Sequence, residues 1–324
     1  MPDPTQPYDV IIIGQGAAAY GAALYSARYQ MKTLVIGDEF GGETATGSTI
    51  ENYPGYSHID GFDLMLKMKE QVQALEVEIV DDRVNELTQE EGCFNLKAYD
   101  GDYRSTAVIL AVGRERRKLG LPLEQDLMGK GVSYCSTCDA PLYKDQSVAV
   151  VGGGDAAVKG SVLLAKYARE VYLIYRKAKL TRPEPINLSL LEKSSNVVQL
   201  LDTNVKGLVG NGKLERLELD RPYMDQSDLR VDGIFIEIGA DPRNQLAAKL
   251  GAMINDKGEI MVSKLMETTI TGIFAAGDVT DASGELKQTI TSTAQGVIAA
   301  TSAYKFVSEH GNACQVHAAG YSLE

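Results

Sequence analysis

The chain has 324 residues, 44% of them hydrophobic and 23% charged, which is enough for two ordinary domains with buried cores. Its 44 acidic residues outnumber 32 basic ones, giving a formal charge of −12 and a pI near 4.9. This balance disfavours nucleic acid, whose phosphates are bound by clustered Lys and Arg.

The first apolar run, residues 10–13, is too short for a signal h-region or a membrane span, so a cytoplasmic protein is expected. It reads as a strand entering Gly14-x-Gly16-x-x-Ala19 and a helix start. In such a turn the first glycine permits the tight bend, the second lets the backbone approach a pyrophosphate, and the third small residue packs helix on strand. The pyrophosphate rests on the N–H groups and positive dipole end of the helix. A second apolar strand, Thr33–Ile36, follows, and 24 residues after the first glycine stands Asp38, succeeded by Glu39. A carboxylate there can accept the hydrogen bonds of an unmodified adenosine ribose. Residues 108–113 read as a buried strand ending in small residues, and the polar stretch 114–118 as a linker.

Four cysteines are too few for a disulfide scaffold in a chain of this length, and two of them form Cys135-Ser136-Thr137-Cys138-Asp139, 14 residues ahead of Gly152. At a helix start such a pair can close a disulfide and favour one thiolate, as thiol exchange requires. Zinc is the competing reading, but further ligands would have to come from Cys93, Cys314, His58, His310 and His317, none at knuckle spacing. Cys93 and Cys314 are expected to be ordinary thiols, buried or on the surface. Asp139 reads as a helix-cap or solvated carboxylate, or as the proton donor beside the dithiol, since no His lies in any motif.

The opening pattern recurs 138 residues later as strand 148–151, Gly152-x-Gly154-x-x-Ala157 and strand 171–174, with Ala27 matched by Ala165 and Tyr29 by Tyr167. One glycine-rich turn is weak evidence; two in register are strong. Opposite Asp38 the second copy has Arg176, with Lys177 beside it and Lys179 and Arg182 close by. Cations suit a 2′-phosphate, so copy one reads as an FAD site and copy two as an NADP site, the alternative being solvated charges at a strand end. A further strand at 233–239 leads into Ala240-Asp241-Pro242-Arg243, and 272–278 returns to the first domain. The expected fold class is α/β, with two Rossmann-like, three-layer dinucleotide-binding domains. A nicotinamide domain of residues 114–243 is inserted between the two parts, 1–113 and 244–324, of an FAD domain.

Together these pieces resemble the low-molecular-weight thioredoxin reductases of the pyridine nucleotide-disulfide oxidoreductases over almost the whole chain. The matching segments are Gly14-Gln15-Gly16-Ala17-Ala18-Ala19, Gly41-Gly42-Glu43, Glu51-Asn52-Tyr53-Pro54-Gly55, 135–139, 152–158, 272–279 and Lys287-Gln288. A Cys-x-x-Cys in the nicotinamide domain separates them from the glutathione reductase and lipoamide dehydrogenase type, whose pair lies in the FAD domain. The resemblance implies that Cys138 faces the flavin, Cys135 attacks the partner disulfide and Asp139 is the acid. It implies FAD contacts from Asn52, Asp278 and Gln288, and extends that set to Ala17, Gly41, Gly42, Glu43, Val84, Ala111, Gly113, Gly277, Lys287 and Thr289. To Gly152, Gly154, Arg176, Lys177 and Arg182 on the nucleotide side it adds Gly153, Asp155, Ala156 and Gly239. NADPH as donor, thioredoxin or a thioredoxin-like disulfide protein as partner, and a homodimer are further implications. The alternative is a related reductase or dithiol oxidase with another donor, NADH or ferredoxin, or a glutaredoxin-like partner. Ala17, Glu43 and Lys287 depart from the usual Pro, Gln and Arg, and Tyr175-Arg176-Lys177 from His-Arg-Arg, with Arg182 one residue late. A carboxylate at Glu43 can alter the flavin potential by its charge.

Overall fold

The structure, a computed structural model, describes residues 7–46, 49–90, 92–311 and 314. The chain begins with β1 (Tyr8–Ile13), α1 (Ala17–Arg28), β2 (Thr33–Ile36), the short α2 (Gly42–Ala45), α3 (Gly61–Gln73) and β3 (Glu78–Val80). An antiparallel meander, β4 (Val84–Glu90), β5 (Cys93–Ala98) and β6 (Asp102–Leu110), precedes β7 (Arg114–Arg116). Next come β8 (Val132–Ser133), α4 (Ser136–Asp139), β9 (Ser147–Val151), α5 (Asp155–Leu164), β10 (Glu170–Ile174), α6 (Pro185–Glu192) and β11 (Val197–Leu200). A second meander, β12 (Val205–Gly210), β13 (Leu214–Tyr223) and β14 (Gln226–Arg230), leads to β15 (Gly233–Ile236). The last elements are β16 (Ala240–Pro242), α7 (Gln245–Lys249), β17 (Ile273–Ala275) and α8 (Thr289–His310).

Two compact units result, 1–115 with 242–324, and 116–241, so the divisions fall two residues from the expected domain limits. In the first unit the strand order is β3-β2-β1-β6-β5-β4, with β17 also on β6. β1, β2, β3, β6 and β17 run parallel. In the second the order is β11-β10-β9-β15-β8, parallel throughout, with β12-β13-β14 as a separate antiparallel sheet. The sequence repeat reappears as register: Val10 lies opposite Thr33, and Val148 opposite Val171.

The apolar runs follow from burial on both faces. Val10 and Ile12 of β1 enter the core with α1 and α8, while Ile11 and Ile13 enter the core shared with β4 and β5. In β9, Val148 and Val150 pack with α5, and Ala149 and Val151 with β12–β14. A strand covered on both sides has no solvent face to mark by alternation, and burying each Val or Ile contributes roughly 1.5–3 kcal/mol. The third layer of each unit is thus largely antiparallel strand.

Helices α1 and α8 approach closely through small residues. A Cβ on Gly21 would stand 2.6 Å from the Thr293 carbonyl oxygen, and one on Gly296 2.0 Å from that of Ala18. The second turn of α8 therefore crosses the first two turns of α1. Among the described residues no helix is long and apolar enough to cross a membrane. The expectation of two ordinary thiols at Cys93 and Cys314 is corrected: they form a disulfide, Cα atoms 4.9 Å apart. Their separation of 221 residues hides the pairing, which arises only when Cys314, beyond α8, meets the first residue of β5.

Candidate active site

In the first unit Gly14 turns the chain from β1 towards α1 at φ +121°, and a Cβ there would stand 2.3 Å from the Ala111 carbonyl oxygen. Gly16 is the N-cap of α1, with no side chain capping the helix and nothing within 4 Å of where its Cβ would lie. Uncapped N–H groups facing open space, with buried Ala17 behind them, form a cradle that fits a pyrophosphate. Gln15 fixes the turn by donating to the Gly37 carbonyl at 2.7 Å and to Asp81 at 2.5 Å, while accepting from the Tyr20 hydroxyl at 2.9 Å. Burial, and then the Asp81 charge, push the Tyr20 hydroxyl far above its ordinary pKa and keep it a donor.

Other segments meet this turn. Gly41 and Gly42 take φ +68° and +54°, and the Gly41 amide donates to the Gln15 carbonyl at 2.9 Å. Around the start of α8, Asn52 Nδ2 donates to Gln288 Oε1 at 3.1 Å, and the Thr44 and Thr289 hydroxyls lie 3.1 Å apart. Ser292 donates to Asp278 Oδ1 at 2.8 Å, and the Gly277 amide donates to Gln295 Oε1 at 2.8 Å. Burial raises the pKa of Asp278, with Glu43 adding to it against Ser292, Lys287 and Arg114. Residues placed together by resemblance, Asn52, Asp278, Gln288 and Glu43, thus gather at one helix start.

Of the two candidate ribose carboxylates, Glu39 is bound to Arg243 at 2.7 Å, whereas Asp38 is exposed, 3.8 Å from Arg83, and feels Arg243 through its charge alone among the described residues. Burial disfavours the Arg243 cation, yet the hydrogen bond and charge of Glu39 hold its pKa above the ordinary value. Val84 has its side chain in the core, and Gly113 accepts the Arg243 amide at 3.1 Å. Lys287, a cofactor contact by resemblance, has partners within the protein. Its Nζ lies 3.0 Å from Glu259 Oε1 and donates to the Thr280 carbonyl. Arg114 meets the same carboxylate at 2.8 Å and donates from Nε to the Asp278 carbonyl at 3.0 Å. Burial works against the Glu259 charge, but Asn255, Lys287 and Arg114 hold its pKa below the ordinary 4.5. The three side chains brace loop 277–280 from behind.

In the second unit Gly152 repeats Gly14, with φ +150° and a Cβ position 2.2 Å from the Glu237 carbonyl oxygen. Gly154 repeats Gly16 as an uncapped N-cap, here of α5, with open space at its Cβ position. Beside Gly153 the buried Tyr175 ring fills the room, 2.1 Å from where a Cβ would stand. Arg176, Lys177 and Arg182 are exposed, and none forms an ion pair among the described residues. Ala156 is exposed in the first turn of α5, and Gly239 at φ +93° accepts the Arg117 amide at 2.9 Å. Asp155 accepts from the Glu184 amide and from Asn187 Nδ2, each at 2.9 Å, so its carboxylate anchors the start of α6.

Cys135 and Cys138 are joined as a disulfide, Cα atoms 5.3 Å apart, rather than held as two metal-binding thiolates. Cys135 is the N-cap of α4, and its Sγ accepts the Cys138 amide at 3.1 Å. Asp139 ends α4 half-buried and caps nothing with its side chain, which removes the helix-cap reading. Buried Ser136 donates to Glu237 Oε1 at 2.9 Å, and Glu237 is the residue whose carbonyl bounds Gly152. Redox helix and nucleotide turn therefore share one neighbour. Tyr134 donates to Glu124, which also accepts the amides of Leu119, Gly120 and Leu121. Glu124 and Glu259 lie outside every motif, and Gln15, Ser136 and Glu237 stand in motif or strand segments without a role of their own, so only the fold reveals what these five do.

The family described as pyridine nucleotide-disulphide oxidoreductase matches residues 8–296. A thioredoxin reductase of Bacillus subtilis is 38% identical over 305 residues, covering 93% of this chain and 95% of its own. One from Mycolicibacterium smegmatis is 37% identical over 306 residues, covering 93% and 97%. The crystal structure of Lactococcus lactis thioredoxin reductase in its FR conformation superposes with a TM-score of 0.88 at 34% identity, covering 93% of this chain and 99% of that one. With two glycine cradles and a disulfide at a helix start in one chain, this protein belongs to the thioredoxin reductases of the pyridine nucleotide-disulphide oxidoreductase family.

Proposed function

We propose that the protein reduces the disulfide of thioredoxin or a thioredoxin-like partner, using NADPH and FAD, and that Cys135, Cys138 and Asp139 carry the exchange. The observation that carries this reading is the Cys135–Cys138 disulfide on α4, tied through Ser136 and Glu237 to the Gly152 turn. Gly14, Gly16 and the first turn of α1 would hold the FAD pyrophosphate, Asp38 its ribose, and Asn52, Asp278 and Gln288 the flavin side. Gly152, Gly154 and the first turn of α5 would hold NADPH, with Arg176, Lys177 and Arg182 at its 2′-phosphate. When bound, the two cofactors supply the electron pair that opens the Cys135–Cys138 bond.

The chain's own groups do the rest. The Cys138 amide at 3.1 Å favours a thiolate on Cys135 over the thiol. Cys135 attacks one sulfur of the partner disulfide and releases the other as a thiolate. Cys138 then attacks Cys135 Sγ, frees the second partner sulfur and restores the internal bond. Asp139, adjacent to Cys138, moves a proton to a departing sulfur. A cytoplasmic homodimer is part of the same proposal.

The holoenzyme should oxidise NADPH steadily in the presence of thioredoxin and an aromatic disulfide that reports free thiols. Cys135→Ser and Cys138→Ser should each lower that rate by about a hundredfold or more while NADPH still bleaches the flavin. A variant retaining the full rate would exclude the dithiol relay, and no turnover with thioredoxin beside normal bleaching would reassign the partner. Sedimentation at micromolar concentration should give twice the chain mass; the mass of one chain would remove the dimer.

A further inference from the structure

We infer that Cys93–Cys314 is a second disulfide site with a role separate from the exchange reaction: a shielded staple that clamps the far end of α8 to β5 and stays oxidised while the enzyme reduces disulfides. Cys93 opens β5, and Cys314 lies just beyond α8; their Cα atoms are 4.9 Å apart, within the range a disulfide spans. The packing on which the bond rests comes from elsewhere in the same unit. Phe306 near the end of α8 lies against Phe274 of β17 with ring centroids 6.3 Å apart and stacks on His310 at 4.4 Å. A Cβ on Gly272 would stand 2.8 Å from the Phe94 ring and 3.0 Å from that of Phe306, so the residue after Cys93 and the end of α8 already converge.

Burial separates this bond from the working one. Cys93 is 4% and Cys314 1% exposed, whereas Cys138 is exposed. Exchange requires a thiolate to approach along the S–S axis, so a bond this deeply buried presents neither sulfur to a dithiol. A chain that generates reducing dithiols can therefore keep its own second disulfide. The bond forms from two thiols by exchange with a low-molecular-weight disulfide of the glutathione class. One cysteine thiolate attacks it, forms a mixed disulfide and releases a thiol. The second cysteine thiolate attacks the protein sulfur of that mixed disulfide and releases the other thiol. The protein loses two electrons, the small disulfide gains them, and the two cysteine protons end on the two released thiols.

Closing a segment of 221 residues removes much of the freedom of the unfolded chain. The same helix starts at the flavin cradle, with Gln288, Ser292 and Gln295, so the staple fixes its distal end while leaving the reacting groups untouched.

Two measurements test this. The purified holoenzyme is reduced with excess NADPH in the absence of air, denatured in N-ethylmaleimide and weighed intact, then digested without reductant. Two labels per chain are expected, on Cys135 and Cys138, with the Cys93 and Cys314 peptides still joined. Labels on Cys93 and Cys314 before any reduction, or four labels after NADPH, would overturn the proposal. Melting is then followed for Cys93→Ala, Cys314→Ala and the double variant. Each should melt roughly 5–15 °C below wild type, the double no lower than the singles, with the turnover rate at 25 °C within about twofold. Unchanged melting temperatures would remove the staple. Should the variants not fold, wild type unfolded to equilibrium in urea with and without a small phosphine reductant, which reaches the bond once the chain opens, gives the same comparison, and identical midpoints count against the proposal.

Discussion

Glu259 serves two cations at once. It is buried, and Arg114 and Lys287, which it neutralises, each hold a backbone carbonyl of the loop that carries Asp278. Removing the charge would take from two partly buried cations the carboxylate that both of them touch, a loss on the order of 3 kcal/mol for Glu259→Gln. Because Glu259 titrates below its ordinary 4.5 in the fold, its native form binds fewer protons than its unfolded form at moderately acid pH. Its contribution is therefore complete above about pH 4.5 and is lost as pH falls through the lowered native value. Urea denaturation at several pH values should show wild type and Glu259→Gln far apart at pH 7 and converging towards pH 3. A gap of equal size at both ends would mean that the carboxylate charge is not what Glu259 contributes. No sequence pattern points to this residue, since Arg114 lies 145 positions away and nothing periodic links them.

At the scale of elements, the two glycines of each turn do different work. Gly152 has a left-handed backbone and no room for a Cβ, whereas Gly154 has extended backbone and open space. Gly152→Ala should therefore damage the fold, lowering the melting temperature by several degrees. Gly154→Val should melt within about 2 °C of wild type yet raise the Michaelis constant for NADPH by about tenfold or more, because its branched side chain enters the space a pyrophosphate needs. Equal effects of the two substitutions on both readouts would refute this division. The strands and helix starts of these motifs are legible in the sequence because a doubly covered parallel strand is a continuous apolar run and the turn after it must be glycine. Less legible is the layer made by β12–β14, where Gly207, Gly210 and register shifts break the alternation of buried and exposed residues that would mark its strands. The Ser136–Glu237 bond is hidden for the same reason as Cys93–Cys314: each joins residues a hundred or more positions apart through packing alone.

Across the whole molecule, one strand-turn-helix plan is used twice, and the two copies differ in charge where the second strand ends. The first copy presents Asp38 with Glu39, the latter held by Arg243; the second presents Arg176 and Lys177, exposed and without acidic partners among the described residues. Shared register makes these positions equivalent, since β1 pairs with β2 as β9 pairs with β10. An anion should therefore be welcome at one and a ribose hydroxyl at the other. A guanidinium can give a phosphate two charge-assisted hydrogen bonds, each on the order of 1.5–3 kcal/mol before desolvation and ordering losses. Because Arg176 is exposed and is not paired among the described residues, much of that interaction is available to a ligand rather than lost in breaking a native contact. Wild type should use NADPH more efficiently than NADH. Arg176→Ala should raise the Michaelis constant for NADPH by about tenfold or more, equivalent to at least about 1.4 kcal/mol, and leave that for NADH nearly unchanged. High salt should narrow the preference of the wild type, as screening weakens an exposed cation's hold on the phosphate, and should scarcely affect the variant. Equal wild-type efficiency with both nucleotides, or an Arg176→Ala variant that keeps the full preference, would show that the cationic end of β10 is a solvated surface. The Cys135–Cys138 chemistry would stand in that case, and the electron donor would have to be sought elsewhere.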